Sequence, residues 1–384
     1  MKNYEELIEE NKAWIAETFE KINKKMEVVT LRSRGRLIGD ANADGVHRTL
    51  PDDAWTAGFW GGLNVLLYEY TKNGEYLKTA KDQEKCLDSG LWDFEKLYHD
   101  VGFMWHILSG ALYRVTGDEG SKKRNLYAAS SLSSRYVLNG GFIKAWNDDY
   151  WRGLFNKEFS IIDCMMNLPL LYWASDVIGD DRFKQIAMAH ADMALTDHLR
   201  PDGSVNHIVD HDREAGVAVR TFGGQGYCEG SSWSRGQSWA LYGFILSYIH
   251  TKEQRYLTAA KLVAHYFIAN CCDDWLPRVD FRALSEPVYY DTSAGCCAAC
   301  GLIEIAKAVP EHEAGMYLNA AIELLKSIGE KFGNFGTERD ELISHGTVLY
   351  PTKPGDTVHT HLIYSDFYFT EAILKLLGSE FNPW

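Results

Sequence analysis

Two aspartates are placed where a carboxylate would do chemistry. Asp163 lies in Ser160-Ile161-Ile162-Asp163-Cys164-Met165-Met166-Asn167, and Asp100 in His99-Asp100-Val101-Gly102-Phe103. Each is a lone carboxylate in an apolar run, at a point where a helix would begin. Such a group is costly among apolar side chains unless it is paired or used. Apolar surroundings are expected to raise the pKa of Asp163, which suits a group that must donate and then accept a proton. Two nearby carboxylates also push their pKa values apart, so one serves as acid and the other as base. In an aromatic-rich chain this pattern points to acid/base work on a sugar. Helix N-terminal capping is the alternative role for either residue, since Asp is a favoured cap.

Further candidates surround them. Arg235 sits between Trp233 and Trp239, where a cation held by aromatics would bind a substrate carboxylate; a surface cation–π stack is the alternative. The glycine-rich stretch from Thr221 to Trp239 reads as a long loop, costly to order and therefore expected to be used. His207 follows Asp202-Gly-Ser-Val-Asn and is otherwise an ordinary loop histidine. Cys297 and Cys300 form a C-x-x-C inside a run of small residues, with no second pair at zinc spacing. They read as small buried hydrophobes.

Composition narrows the class. The 384 residues are 46% hydrophobic and 24% charged, an ordinary globular balance. A net charge of −14 argues against nucleic acid and leaves any acidic ligand to be recognised by a few local cations. No apolar run has the length of a membrane span. The charged start, Met1-Lys2-Asn3-Tyr4-Glu5-Glu6, and cysteines in no secreted-type framework place the expected location in the cytoplasm. There is no G-x-G-x-x-G, P-loop, G-x-S-x-G or H-E-x-x-H.

The elements that must position these residues are helical. Tyr76-Leu-Lys-Thr-Ala80, Asn125-Leu-Tyr-Ala-Ala129, Phe183-Lys-Gln-Ile-Ala187, Tyr256-Leu-Thr-Ala-Ala260 and Tyr317-Leu-Asn-Ala-Ala321 share one pattern. Each follows an apolar helical segment and a polar turn, and each opens an amphipathic helix. The repeat is about sixty residues, one helical hairpin plus a loop, so the chain holds about six. Six hairpins predict an all-α (α/α)6 barrel in a single domain, residues 1–384, with the variable loops at one rim building the site. Aromatic-rich loops, including Trp55-Thr-Ala-Gly-Phe-Trp60 and Lys144-Ala-Trp146-Asn-Asp-Asp-Tyr-Trp151, lie between the helices.

These motifs, with Trp233-Ser-Arg-Gly-Gln-Ser-Trp239, Asp291-Thr-Ser-Ala294 and Ser365-Asp-Phe-Tyr-Phe-Thr-Glu-Ala372, resemble the unsaturated glucuronyl hydrolases of glycoside hydrolase family 88 over nearly the whole chain. The resemblance implies an (α/α)6 barrel and no metal or organic cofactor. The implied substrate is a lyase-generated oligosaccharide ending in a 4,5-unsaturated glucuronate. Such enzymes hydrate its C4=C5 bond, and the product collapses to an open-chain keto acid. Asp163 matches the general acid/base and Asp100 the second essential aspartate. His207, Gln225 and Arg235 match polar substrate contacts; Trp55, Trp146, Trp233 and Trp239 match aromatic walls. Residues 344–361 depart from the family's pattern where the second sugar and any sulfate are held, which leaves the parent polysaccharide open; there Lys353 with Thr352 would read a sulfate, the alternative being an ordinary exposed loop lysine. The rival readings are an unsaturated rhamnogalacturonyl hydrolase on the same barrel, a non-catalytic oligosaccharide-binding barrel, and a sugar epimerase. The last needs clustered histidines, whereas the 13 here look scattered.

Overall fold

A computed structural model describes residues 2–147, 157–271, 273–353 and 358–384. Trp151 of the aromatic-rich loop, residues 354–357 of the departing segment and Cys272 lie outside that set.

Helix α1 (Tyr4–Arg32) comes first and stands apart from the repeat. Then come α2 (Phe59–Thr71) with α3 (Gly74–Leu91), and a π-helical stretch Gly102–Gly110 running on into α4 (Ala111–Thr116) with α5 (Glu119–Ser134). The next pairs are α6 (Leu168–Ile178) with α7 (Arg182–Met193) and α8 (Ser234–Thr251) with α9 (Gln254–Asn270). The last are α10 (Thr292–Ala308) with α11 (Glu311–Phe332), and then α12 (Ile363–Leu376) alone. The polar turns act through known chemistry. Lys72, Gly117, Gly179 and Lys252 end the first helix of four pairs in the left-handed region, and Asn73 and Asp118 then cap the next helix.

The first helix of each pair is buried nearly all round, as in α8, α10 and α12, while its partner buries one face. The shared sequence pattern is that face. Tyr76, Asn125, Phe183, Tyr256 and Tyr317, and the alanines four residues on, are all buried against the inner ring. Burial of a Phe-sized side chain there contributes about 2–3 kcal/mol. Five pairs follow from the repeat. The sixth is split: α12 finds its outer partner in α1, which also packs on α11 and α3 and so closes the ring.

Short strands sit between the helices, an addition to the all-helical expectation. β1 (Ile38–Ala41) pairs with β2 (His47–Thr49), and β3 (Tyr136–Val137) with β4 (Phe142–Ile143). β5 (Glu158–Ile161), β6 (Ile208–His211) and β7 (Ala218–Phe222) form an antiparallel sheet in that order. Ile161 pairs with Ile208, and Ile162 N–H donates to His207 O at 3.0 Å. This register sets Asp163 beside His207. The long loop is shorter than expected: α8 begins at Ser234, so Arg235 and Trp239 are helical.

Candidate active site

Asp163 stands in a 3-10 turn, Ile162–Met166, that leads into α6; Asp100 immediately precedes the π-helical stretch. Neither side chain caps its helix. The Phe103 N–H that a cap would satisfy goes instead to Asn167 Oδ1 at 2.9 Å. Asp100 is buried and Asp163 half-buried.

His207 Nε2 lies 3.3 Å from Asp163 Oδ1, and among the described residues neither atom has an aligned hydrogen bond. His207 Nδ1 lies 3.1 Å from Gln225 N–H and 3.3 Å from Gly223 O; accepting the shorter bond, from the amide, leaves Nε2 to present a hydrogen to the carboxylate. Trp233 lies beneath the imidazole, with ring centroids 4.2 Å apart. Gly224 passes over it at φ +59, and a Cβ there would lie 2.2 Å from Nδ1.

The electrostatics correct the expectation for Asp163. Burial raises its pKa, but the His207 imidazole, with smaller contributions from His99 and Arg235, outweighs burial and holds the carboxyl below its usual value. Asp100 takes the raised position: burial first, then the Asp163 charge, push it well above the carboxylate range. The two values are pushed apart as expected, but in the opposite sense, Asp100 up and Asp163 down. Burial also drives His99 down to about 3.

The histidines are not scattered. Ser160 Oγ lies 2.8 Å from His198 Nε2 and 2.9 Å from His211 Nε2, and Ile143 N–H donates to His190 Nδ1 at 3.0 Å. Burial lowers the pKa of all three imidazoles. This layer braces β5 behind Asp163, and only folding brings it together.

A cavity of about 130 Å³ opens beside His207, lined by Trp146, Ile161, Ile208, Gly224, Gln225 and Leu349. Across Gly224 lies a groove of about 250 Å³ bounded by Phe222, Tyr227 and Thr352. Lys353 follows, exposed. Trp55 is half-buried, packed on Phe59, Phe103 and Tyr364. Trp239 lies deeper, 1% exposed, in a layer with Phe103 and Tyr368.

Arg235 is 1% exposed, and both of its terminal nitrogens are engaged. Nη1 reaches Asp291 Oδ2, Ser293 Oγ and Thr347 O, and Nη2 reaches Val348 O. Its aromatic neighbours are Trp233 and Tyr364, at 4.5 and 5.3 Å from the ring centroids. Gln225 Nε2 donates to the same Val348 carbonyl at 2.7 Å. Both residues therefore seat the segment that carries Leu349 into the cavity wall.

His47, His361 and Asp366 have the spacing of a metal site. However, His361 Nδ1 accepts from Ala41 N–H at 2.7 Å, so its hydrogen is on Nε2, which meets Asp366 Oδ2 at 3.0 Å. Asp366 also accepts from Leu342 and Ile343 N–H. These donors are consumed in tying residues 342–343 to α12, an arrangement that does not suit a cation. Cys296, Cys297 and Cys300 are buried thiols in α10.

Sequence reasoning passed over His99, Asn167 and Tyr364 as site residues. The position of His99 directly before Asp100 was a usable signal; nothing local marks Tyr364.

The family model Glycosyl Hydrolase Family 88 matches residues 30–342. An unsaturated glucuronyl hydrolase from Bacillus sp. (strain GL1) is 34% identical over 351 residues, covering 89% of this chain and 92% of that protein. An unsaturated chondroitin disaccharide hydrolase from Streptococcus pneumoniae is 33% identical over 346 residues, covering 87% and 85%. The crystal structure of unsaturated glucuronyl hydrolase from Bacillus sp. GL1, described as responsible for the degradation of glycosaminoglycan, superposes with a TM-score of 0.86 at 32% identity, over 93% of this chain and 96% of that one. Among the described residues no helix is long and apolar enough to cross a membrane. With a matched family model over most of its length and relatives above 30% identity, the chain belongs to Glycosyl Hydrolase Family 88.

Proposed function

We propose that Asp163 and Asp100, with His207, hydrate the C4=C5 bond of a non-reducing 4,5-unsaturated glucuronate on a lyase-generated oligosaccharide. The observation that carries this reading is the contact of 3.3 Å between Asp163 Oδ1 and His207 Nε2 at a cavity wall, with a second carboxyl, of raised pKa, at Asp100.

Asp100, its pKa raised, is the member of the pair that holds a proton more readily, and Asp163 the member that ionises more readily. The substrate's own carboxylate, arriving beside it, favours the protonated form of Asp163 by like-charge repulsion. Asp163 then protonates C4, and the ring oxygen shares the cation that forms at C5. The resulting carboxylate takes a proton from the water that attacks C5. The hemiketal opens, C1 becomes a hemiacetal, and the neighbouring sugar leaves. Trp146 and Leu349 supply apolar surface to the sugar face, and the groove bounded by Phe222, Tyr227 and Thr352 holds the second residue. Gln225 and Arg235 serve by seating the 347–350 segment. Cys164, Cys296, Cys297 and Cys300 are buried free thiols, which supports a reducing, cytoplasmic setting.

The test is to incubate the purified protein with unsaturated uronyl disaccharides, sulfated and unsulfated, glucuronyl and rhamnogalacturonyl, and to follow the ultraviolet absorbance of the conjugated alkene. Loss of absorbance on glucuronyl substrates is expected. Constant absorbance on every disaccharide, with folded protein, refutes the activity; binding without turnover would mark a sugar-binding barrel.

A further inference from the structure

We propose that Asn167 is the positioning residue of the carboxylate pair, resting on the reading that Asp163 and Asp100 do the chemistry. Asn167 is fully buried at the junction between the 3-10 turn of Asp163 and α6. Its Oδ1 accepts from Phe103 N–H at 2.9 Å. Because a backbone N–H can only donate, the amide has one orientation, and its NH₂ group must face the other way. There Nδ2 lies 3.4 Å from Asp100 Oδ1 and 3.5 Å from the Asp163 carbonyl oxygen.

One side chain therefore touches both acid-bearing segments, which belong to successive hairpins of the barrel. The two donor contacts are long, as catalytic hydrogen bonds commonly are before substrate binds. The amide also bears on Asp100 electrically. A donor favours the charged carboxylate and opposes the rise that burial and the Asp163 charge impose. The approach is close because residue 102 is glycine: a Cβ there would lie 2.5 Å from Asn167 Oδ1. Asn167 and Gly102 thus form a fitted pair, one supplying the clamp and the other the room for it.

The experiment compares wild type with Asn167→Ala, Asn167→Ser and Gly102→Ala in kcat, KM and pH profile on an unsaturated uronyl disaccharide, with thermal melts alongside. Gly102→Ala keeps the amide but displaces it. Expected is a fall in kcat of about 10²-fold with little change in KM, as for a misplacement near 1 Å. The alkaline limb moves to higher pH in the Asn167 variants, because Asp100 loses the donor that eased its ionisation. A lower melting temperature with wild-type kcat and pH profile overturns the proposal and leaves Asn167 a structural residue. If Asn167→Ala does not fold, Asn167→Ser and Gly102→Ala decide in the same way. A wild type inert on every disaccharide overturns the functional reading and this proposal together; an active wild type matched by the variants overturns this proposal alone.

Discussion

Asp163 Oδ1 and His207 Nε2 face each other at 3.3 Å, and this contact reverses what burial alone would do to the carboxyl. His207→Gln should therefore let the Asp163 pKa rise. The acid limb of kcat/KM moves to higher pH, and the maximal rate falls about 10²-fold. A pH–rate profile of the two proteins checks this; an unmoved acid limb would show that His207 does not control the ionisation.

Asp163→Asn keeps the shape of the side chain and removes the proton transfer. Turnover should fall about 10³-fold or more, while calorimetry still detects disaccharide binding. A variant with wild-type turnover would displace Asp163 from the acid/base role.

Asp100 carries a stability cost. Its folded pKa is raised, so the folded state holds a proton that the unfolded chain has released. Stability is then lost as pH rises from the ordinary carboxylate value through the folded one. Asp100→Asn removes that loss. It should melt higher than wild type near pH 7, by the equivalent of about 1 kcal/mol, and show no such gain near pH 4. Equal melting curves at both pH values would contradict the assignment of the proton.

Gly224→Ala tests the roof over His207. The φ of +59 and the approach of 2.2 Å to Nδ1 both oppose a side chain. The expected cost is about 1–3 kcal/mol of stability, together with a fall in kcat/KM as the imidazole shifts. Guanidinium melts and initial rates are the measurements; an unchanged protein would mean that the loop yields freely.

Arg235→Met strands a buried anion. Asp291 is 0% exposed and pairs with Arg235 Nη1 at 2.5 Å. Loss of that partner should cost about 3 kcal/mol or more. The 347–350 segment loses its seat too, so KM should rise more than kcat falls. The reverse split would assign Arg235 to the chemical step.

The helical architecture could be read in the chain because each outer helix repeats one face, an aromatic or Asn with an alanine four residues on. The sixth pair did not show: α1 precedes the repeat and lacks that face, so only closure of the ring identifies it. The carboxylates were legible as charge amid apolar residues. Their ionisation was not, because His207 reaches Asp163 through β5 and β6, strands of four residues, too short for a clear alternation. The histidine layer at Ser160 stayed hidden for the same reason: its members come from separate elements and meet only in space. Arg235 was legible as a cation between aromatics, though not as a buried one. Its partners Asp291 and the Val348 carbonyl were not, since a backbone acceptor carries no residue-type signal.

The seam between α1 and α12 has a consequence for synthesis. Helix α1 leaves the ribosome ahead of the other described helices, yet its seat against α11 and α12 exists only once the final inner helix has emerged. Until then the stripe of Leu7, Ile15, Ile22, Met26 and Val29 is covered only in part, by the earlier-made α3. Nascent chains thus carry a half-covered apolar stripe through much of translation, the condition under which partly made proteins clump or recruit chaperones.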